Sequence, residues 1–211
     1  MVKGTKWAAV ILCVMTVVLV VGASRSRSSE AKTAAPLVMA NQQALGDMVL
    51  KLIGIVQPKM SLARKQILAR TFVRVASDVL QDEEQGRYFA ILVAIESRFT
   101  ADVVSPAGAM GMAQLMPSTA REFGKLCGVT GFDNEDLKDT ELNLTIGACV
   151  FRTLVTSYKG NLASALVAYN AGGASLSLKQ LHSLANIANT ETASYVAKFM
   201  YLNEAFNKTK M

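Results

Sequence analysis

The sequence predicts an all-α domain behind an N-terminal segment that directs the chain to a membrane. Three observations support this prediction. From Leu37 onward apolar residues recur at helical spacing, and strand-like alternation is nearly absent. Residues 7–23 form an apolar run of 17 residues without a charge. The chain has 211 residues, 51% hydrophobic and 18% charged, which is enough for one domain with a sizeable core.

The apolar run at 7–23 is predicted to be either a signal peptide or an uncleaved membrane anchor. Lys3 and Lys6 precede it, as in the basic region of a signal peptide, and the small residue Ala23 offers a cleavage site. However, 17 residues is close to the minimum that spans a bilayer, and the basic residues from Arg25 onward oppose export. Both alternatives stay open, and each sends the rest of the chain out of the cytoplasm.

The remainder divides into three parts. Residues 24–36 (SRSRSSEAKTAAP) are small and polar, end in proline and are predicted to be a tether. Residues 37–60 form a helical lead-in that either packs on the domain or extends as a stalk. Residues 61–207 form the main domain. Its predicted helices cover about 61–80, Gln85–Phe99, Pro117–Gly124, Asp139 to near Gly160, Asn161 to about Asn170, and Glu191–Phe206.

Charge and metal-ligand composition exclude several classes of protein. The net charge is +6, but the first 32 residues hold five basic residues and one acid, so the rest carries only +2. No run of Lys and Arg with interleaved aromatic residues follows, which argues against nucleic-acid binding. One His and three scattered Cys disfavour a zinc finger or a Cys–His nucleophile. The acidic cluster at 133–141 lacks the spacing of a calcium loop, so we expect no metal and no cofactor.

Glu96 is the candidate chemical group that periodicity alone identifies. It ends an apolar stretch, and Phe89, Leu92 and Val93 precede it by seven, four and three positions, so they share its helical face. Partial desolvation there would raise the pKa of the carboxyl group, as a general acid requires. The alternative is that Glu96 only marks the end of a buried stripe and points to water. Periodicity alone favours this alternative.

Four motifs in order resemble the soluble lytic transglycosylase (SLT) family. The first joins Glu96–Phe99 (ESRF) to Ser105–Ala120 (SPAGAMGMAQLMPSTA), similar to the family's ESxF and SxxGAxGLMQxMPxTA. Asn143–Gly147 (NLTIG), Ala168–Gly172 (AYNAG) and Glu191–Val196 (ETASYV) resemble NIxxG, AYNAG and ETxxYV. The resemblance covers about residues 60–206. It implies a lysozyme-like helical fold and cleavage of the β-1,4 bond between N-acetylmuramic acid and N-acetylglucosamine in peptidoglycan.

The resemblance also implies roles for individual residues. Glu96 would be the single catalytic acid and base, and the product would carry a 1,6-anhydromuramic acid end. The implied substrate-binding residues are Ser105, Gln114, Met116, Tyr169, Asn170 and Glu191. Of these, Glu191 begins a helix and could equally serve as a cap, and Asn170 is expected to fix the turn that presents Tyr169.

Two departures from the family pattern affect these expectations. Ala113 stands where the family has a larger hydrophobic residue, so we expect substrate fit to change there. Gly173 and Ala174 replace the usual Gly-Pro, so the following loop is expected to differ. Cys127 and Cys149 lie 22 positions apart and either form a disulfide in an oxidising compartment or are two small buried residues.

The N-terminal segment and the resemblance together predict an exported enzyme, periplasmic and either soluble or anchored to the inner membrane. Its partners would be peptidoglycan glycan strands and, by analogy, a secretion, conjugation, pilus or phage machine that needs the wall opened locally. Two alternatives remain. One is a goose-type muramidase that hydrolyses the same bond with water, and the other is a non-catalytic subunit that binds peptidoglycan.

Overall fold

The computed structural model describes residues 36–80, 82–171 and 190–208, except for the side chains of 190, 191 and 208. These residues form helices joined by loops, with no strand among them, so the prediction of an all-α domain is confirmed. The helices are α1 (36–56), α2 (Leu62–Val79), α3 (Glu83–Glu96), α4 (Pro117–Leu126), α5 (Thr140–Ser157), α6 (Leu162–Asn170) and α7 (Thr190–Lys208), with a 3₁₀ helix at Glu135–Lys138.

The chain divides into two compact units, residues 1–43 and 44–211. The first unit contains the predicted membrane-directing segment and tether, and its residues 1–35 lie outside the described residues. Pro36, the last residue of the predicted tether, is the first residue of α1. None of the helices in the described ranges has the length and apolar character needed to cross a membrane. Within the second unit α1 contributes five buried side chains to the core, namely Leu45, Met48, Val49, Leu52 and Ile53.

Side-chain caps explain where several helices begin. Asp139 accepts a hydrogen bond from the backbone N–H of Leu142 at the start of α5, and Asn161 accepts one from Ser164 at the start of α6. Both caps are as the sequence predicts, because a short polar side chain satisfies N–H groups that lack a helical partner. Asp82 caps α3 in the same way.

The core is centred on four phenylalanine rings from α2, α3, α5 and the loop after α3. Phe89 of α3 stacks on Phe72 of α2 and on Phe151 of α5, with ring centroids 5.5 and 6.0 Å apart. Phe99 meets Phe72 edge-on at 6.2 Å. All four side chains are almost fully buried. Such ring contacts stabilise a fold beyond the area they bury, and here they fix the helix that ends in Glu96.

The helix predicted at Gln85–Phe99 ends three residues earlier than expected, at Glu96. Arg98 and Phe99 adopt left-handed backbone conformations, with φ of 54° and 58°. Non-glycine residues seldom adopt such angles, so tertiary contacts hold the turn. Phe99 is buried in the core, and Gln57 donates hydrogen bonds to the carbonyl of Arg98 and the hydroxyl of Thr100.

Cys127 and Cys149 form a disulfide, with their Cα atoms 6.4 Å apart. Cys127 directly follows α4 and Cys149 lies in the buried face of α5. The bond therefore fastens the C-terminal end of α4 to α5.

Loss of this disulfide is expected to lower the free energy of unfolding. Replacing both Cys127 and Cys149 by alanine removes a cross-link across 22 positions, which in chain-entropy terms corresponds to about 3 kcal/mol. Urea unfolding followed by circular dichroism measures the change. Dithiothreitol should destabilise the wild type similarly and leave the double variant unaffected. Equal stability of reduced and oxidised wild type would contradict the prediction.

Candidate active site

Glu96 is the last residue of α3, and its side chain is partly buried. The residues before it in the helix, from Phe89 to Ala94, are almost completely buried. The hydroxyl of Tyr195, on α7, donates a hydrogen bond of 2.8 Å to Oε1 of Glu96. The carboxyl group at the C-terminal end of an apolar helix thus accepts a hydrogen bond from Tyr195, which lies 99 residues away in sequence.

The surroundings raise the pKa of Glu96 to about 7 from an ordinary value of 4.5. Burial is the main cause, because it disfavours the charged form. The hydrogen bond from Tyr195 and the positive charge of Lys198 act in the opposite direction and limit the rise. Near neutral pH, Glu96 can therefore hold a proton and also release it, as a group that acts as acid and then as base must do.

Tyr169, near the end of α6, lies in the same electrostatic environment. Burial and the charge of Glu96 raise the pKa of both Tyr169 and Tyr195 well above the usual value, so both phenols keep their protons. The hydroxyl of Tyr169 donates to the backbone carbonyl of Ala113 at 2.8 Å. Its proton is therefore engaged with the loop, and of these two phenols Tyr195 is the one that donates to Glu96.

Ser105, Gln114 and Met116 all lie in the loop that connects Glu96 to α4. The hydroxyl oxygen of Ser105 accepts a hydrogen bond from the N–H of Ala109 at 3.0 Å, which closes a tight turn. Ser105 and Gln114 are partly exposed, and Met116, at the start of α4, is 37% exposed. The loop therefore presents two polar groups and one apolar side chain to solvent.

The backbone of Gln114 is left-handed, with φ of 48°. Its side-chain nitrogen donates to the carbonyl oxygens of Gly111 at 2.8 Å and Val103 at 3.3 Å. Both amide protons are thus used within the loop, which fixes the orientation of the side chain and leaves its carbonyl oxygen as the group able to meet a ligand.

The two remaining predicted binding residues, Asn170 and Glu191, lie at the ends of α6 and α7. Oδ1 of Asn170 accepts a hydrogen bond from the hydroxyl of Thr192 at 3.3 Å, so Asn170 links the end of α6 to the beginning of α7. The side chain of Glu191 lies outside the described residues, and so do Gly173 and Ala174.

Two residues beside the site were not singled out from the sequence. Tyr195 is within the quoted ETASYV motif, but only the fold shows that its hydroxyl meets Glu96. Asn143 is fully buried in α5 and contacts the loop. An asparagine between Leu142 and Leu144 in an apolar helix was the available signal, because a buried amide must find partners.

Ala113, where we expect a change in substrate fit, is fully buried, so its side chain has no surface exposed to a ligand. A Cβ atom built on Gly147 of α5 would lie 2.5 Å from the Cβ of Ala113 and 3.3 Å from the ring of Phe89. Because Gly147 has no side chain and that of Ala113 is small, the loop packs directly on α5.

The acidic cluster at 133–141 has a structural role in the described part of the chain. Oδ1 of Asp133 accepts hydrogen bonds from the N–H groups of Glu135 and Asp136, and Oδ2 of Asp136 accepts one from the N–H of Asp133. Within the described ranges no three His, Cys, Asp or Glu side chains gather as a metal site would require.

The all-helical domain, with its partly buried glutamate at a helix end, has a lysozyme-like fold. The structure is similar to lytic transglycosylase Slt from Pseudomonas aeruginosa, solved as an inactive mutant, with a TM-score of 0.54 and 24% identity. The match covers 65% of this chain and 24% of that one.

The family follows from the sequence comparison. The profile of the Transglycosylase SLT domain matches residues 77–190, which is just over half of the chain, and the chain belongs to this family. Over 86 residues it is 33% identical to the soluble lytic murein transglycosylase of Escherichia coli K12 and 31% identical to that of Salmonella typhimurium LT2. Each match covers 40% of this chain and only 13% of the relative.

The raised pKa of Glu96 predicts a specific dependence of stability on pH. Because the pKa of about 7 in the folded state exceeds the ordinary 4.5, the native protein binds more protons than the unfolded chain between these values. The stability linked to this group is present below about pH 4.5 and is lost as the pH rises through 7. Relative to the wild type, Glu96→Gln should therefore gain stability between pH 4.5 and 8, measured by thermal unfolding.

Glu141 provides a control of opposite sign. Its hydrogen bond with Arg74 lowers the pKa of this exposed carboxyl group, so its contribution is present above the ordinary value and is lost as the pH falls. Glu141→Gln should therefore lose stability relative to the wild type as the pH rises to about 4.5, and the difference between the two should stay constant from there to pH 8. A Glu96→Gln curve that runs parallel to the wild type would contradict the raised pKa.

Proposed function

We propose that this chain is a peptidoglycan lytic transglycosylase that cleaves the β-1,4 bond between N-acetylmuramic acid and N-acetylglucosamine and leaves a 1,6-anhydromuramic acid end. The observation that carries the proposal is Glu96, whose pKa of about 7 results from burial and whose Oε1 accepts the Tyr195 hydrogen bond. Family membership supports the same chemistry.

The proposed reaction needs only one carboxylate. Protonated Glu96 donates its proton to the glycosidic oxygen, and the bond to the anomeric carbon of the muramic acid breaks. The resulting carboxylate then takes the proton of the 6-hydroxyl as that oxygen bonds to the same anomeric carbon. No water is consumed, and a hydroxyl tethered to the reacting sugar has a high effective concentration. Ordinary glycosidases use two carboxylates, whereas this reaction assigns both proton transfers to Glu96.

Tyr195 would steady the charge that appears on Glu96 during the first step. Its hydrogen bond to Oε1 favours the carboxylate over the acid, and it leaves Oε2 as the oxygen that exchanges the proton with the substrate. Tyr169 would line the cleft with its hydroxyl oxygen, since its proton is engaged with Ala113.

The loop would hold the sugar on the side of Ser105, Gln114 and Met116. Because the Ser105 oxygen accepts from Ala109, its own proton is available for the acetamido group of the substrate. The carbonyl oxygen of Gln114 would accept from a sugar hydroxyl, and exposed Met116 would contact an apolar sugar face. Glu191 and Asn170 complete the proposed cleft by family resemblance.

We place the enzyme outside the cytoplasm, exported through residues 7–23, which are either removed or kept as an anchor in the inner membrane. The disulfide between Cys127 and Cys149 supports this location, because such bonds persist in oxidising compartments. Local opening of the wall for a secretion, conjugation, pilus or phage machine is the role that resemblance suggests for a chain of this form.

Mass spectrometry of purified peptidoglycan digested with the full chain tests the proposal. We expect fragments that carry 1,6-anhydromuramic acid. Fragments heavier by one water would instead assign a muramidase. A folded protein that binds peptidoglycan without producing fragments would indicate a docking subunit.

Glu96→Gln should lose cleavage by about 100- to 10,000-fold, since general acid–base catalysis contributes that much. The substitution keeps the size and removes the proton that is transferred. The release of soluble fragments from sacculi measures the rate, and retention on sacculi at 4 °C shows that binding survives. Wild-type cleavage by this variant would refute the assignment.

Tyr195→Phe should move the alkaline limb of the pH–rate profile to higher pH. Removing the donated hydrogen bond takes away a cause that lowers the pKa of Glu96, so the acid stays protonated further into the alkaline range. Tyr201→Phe is the matched control on the same helix, because that ring is 71% exposed. An unchanged alkaline limb in Tyr195→Phe would show that this bond does not tune the acid.

A further inference from the structure

We infer that Asn143 is a positioning residue for the proposed reaction. Its buried side-chain amide holds the loop that connects Glu96 to α4, residues 97–116, which we call the substrate-binding loop. This inference rests on the proposed function, because it concerns the same cleft. Among the polar side chains that the structure describes, Ser97 and Asn143 are the buried ones, and Asn143 has no exposed surface. A buried amide destabilises a fold unless its donors and acceptor are used.

Each polar atom of the Asn143 side chain has a partner outside its own helix. Oδ1 accepts from the N–H of Ala113 at 2.7 Å. Nδ2 donates to the carbonyl of Met110 at 3.0 Å and to that of Leu137 at 2.8 Å. One side chain of α5 thus joins the substrate-binding loop to the 3₁₀ helix that follows α4, and none of these bonds reaches a substrate.

Glycine at position 111 makes this contact possible. Its backbone is left-handed, with φ of 76°, and a Cβ atom there would overlap Nδ2 of Asn143 and the carbonyl oxygen of Leu137. The backbone at Gly111 therefore passes directly over the Asn143 amide. Met110 and Leu115, which flank residues 111–114, exchange two backbone hydrogen bonds of 2.9 Å.

Residue 113 connects Asn143 to the rest of the site. Its N–H is held by Asn143 and its carbonyl by the hydroxyl of Tyr169. The next residue is Gln114. Its left-handed backbone conformation and the two hydrogen bonds that its side-chain nitrogen donates depend on the same turn. Displacement of Ala113 would therefore disturb Gln114 and Tyr169 together, although Asn143 touches neither.

The test compares kcat/KM on soluble peptidoglycan strands at a temperature where circular dichroism shows every variant fully folded. Asn143→Ala should lose about 100-fold, the effect of misplacing reacting groups by about 1 Å. Gly160→Ala is the control for general destabilisation. Gly160 has φ of 81°, which strains an alanine backbone, but a Cβ atom there would meet no neighbouring atom. This variant should keep the wild-type value per folded molecule.

A double-mutant cycle separates positioning from a general structural role. If Asn143 acts through the loop, Asn143→Ala combined with Gln114→Ala should be little worse than Gln114→Ala alone, because coupled sites are not additive. Losses that multiply, or a folded Asn143→Ala with wild-type kcat/KM, would overturn the inference. Should Asn143→Ala fail to fold, Gly111→Ala replaces it in the same cycle, with the same criteria.

The cycle also distinguishes failure of the inference from failure of the proposed function. If the wild type binds sacculi but releases no fragments, the proposed chemistry fails. The same double-mutant cycle is then measured as the fraction of protein retained on sacculi instead of as kcat/KM. The positioning role is supported if Asn143→Ala is retained more weakly than the wild type and if its loss of retention does not add to that of Gln114→Ala. Retention equal to wild type overturns it, as does a wild type that neither cleaves nor binds.

Discussion

The partly desolvated carboxylate of Glu96 is the constraint on which the rest of this structure depends. The residues of its helix from Phe89 to Ala94 are almost completely buried, so the carboxyl group emerges from the core and not from the surface. Such a position favours the neutral acid and works against folding when the group ionises. It requires a donor, which α7 supplies through Tyr195, and it requires the chain to leave the helix immediately. The left-handed Arg98 and Phe99 make that turn, and the burial of Phe99 stabilises it.

The loop after this turn has little regular structure of its own, and neighbouring helices fix its shape. The helix α5 holds it from below through Asn143 and through the contact of Gly147 with Ala113, and α6 holds it through Tyr169. The disulfide at Cys149 fastens α4, at the end of the loop, to the same central helix. Because α5 is the common support, residues far from any substrate determine where Gln114 points. Precision in a loop site therefore depends on the rigid elements beneath it.

Local signals in the sequence predicted much of the fold. Asp139 and Asn161 indicate helix starts because capping is decided within four residues. The apolar spacing before Glu96 showed that an acid ends a buried stripe, but not that its carboxyl group is itself partly buried. The positions of Ser105, Gln114 and Tyr169 came from a family resemblance, not from periodicity. The end of α3 was misplaced because no glycine marks the left-handed residues at Arg98 and Phe99. The contact between Tyr195 and Glu96 spans 99 positions, and the burial of Ala113 depends on Gly147. Both are products of tertiary packing, which a linear pattern does not contain.

A single carboxylate that serves as acid and then as base faces opposing demands under the proposed chemistry. Deeper burial would keep Glu96 protonated and make it a poor acceptor for the second proton. Fuller exposure would leave it ionised at neutral pH, with no proton to give. The described groups act on both sides of this balance, since burial raises the pKa while Tyr195 and Lys198 lower it. Two-carboxylate glycosidases divide these demands between residues with different surroundings. In the proposed reaction one residue meets both, so the donor on α7 would matter to the chemistry as much as the apolar helix that raises the pKa.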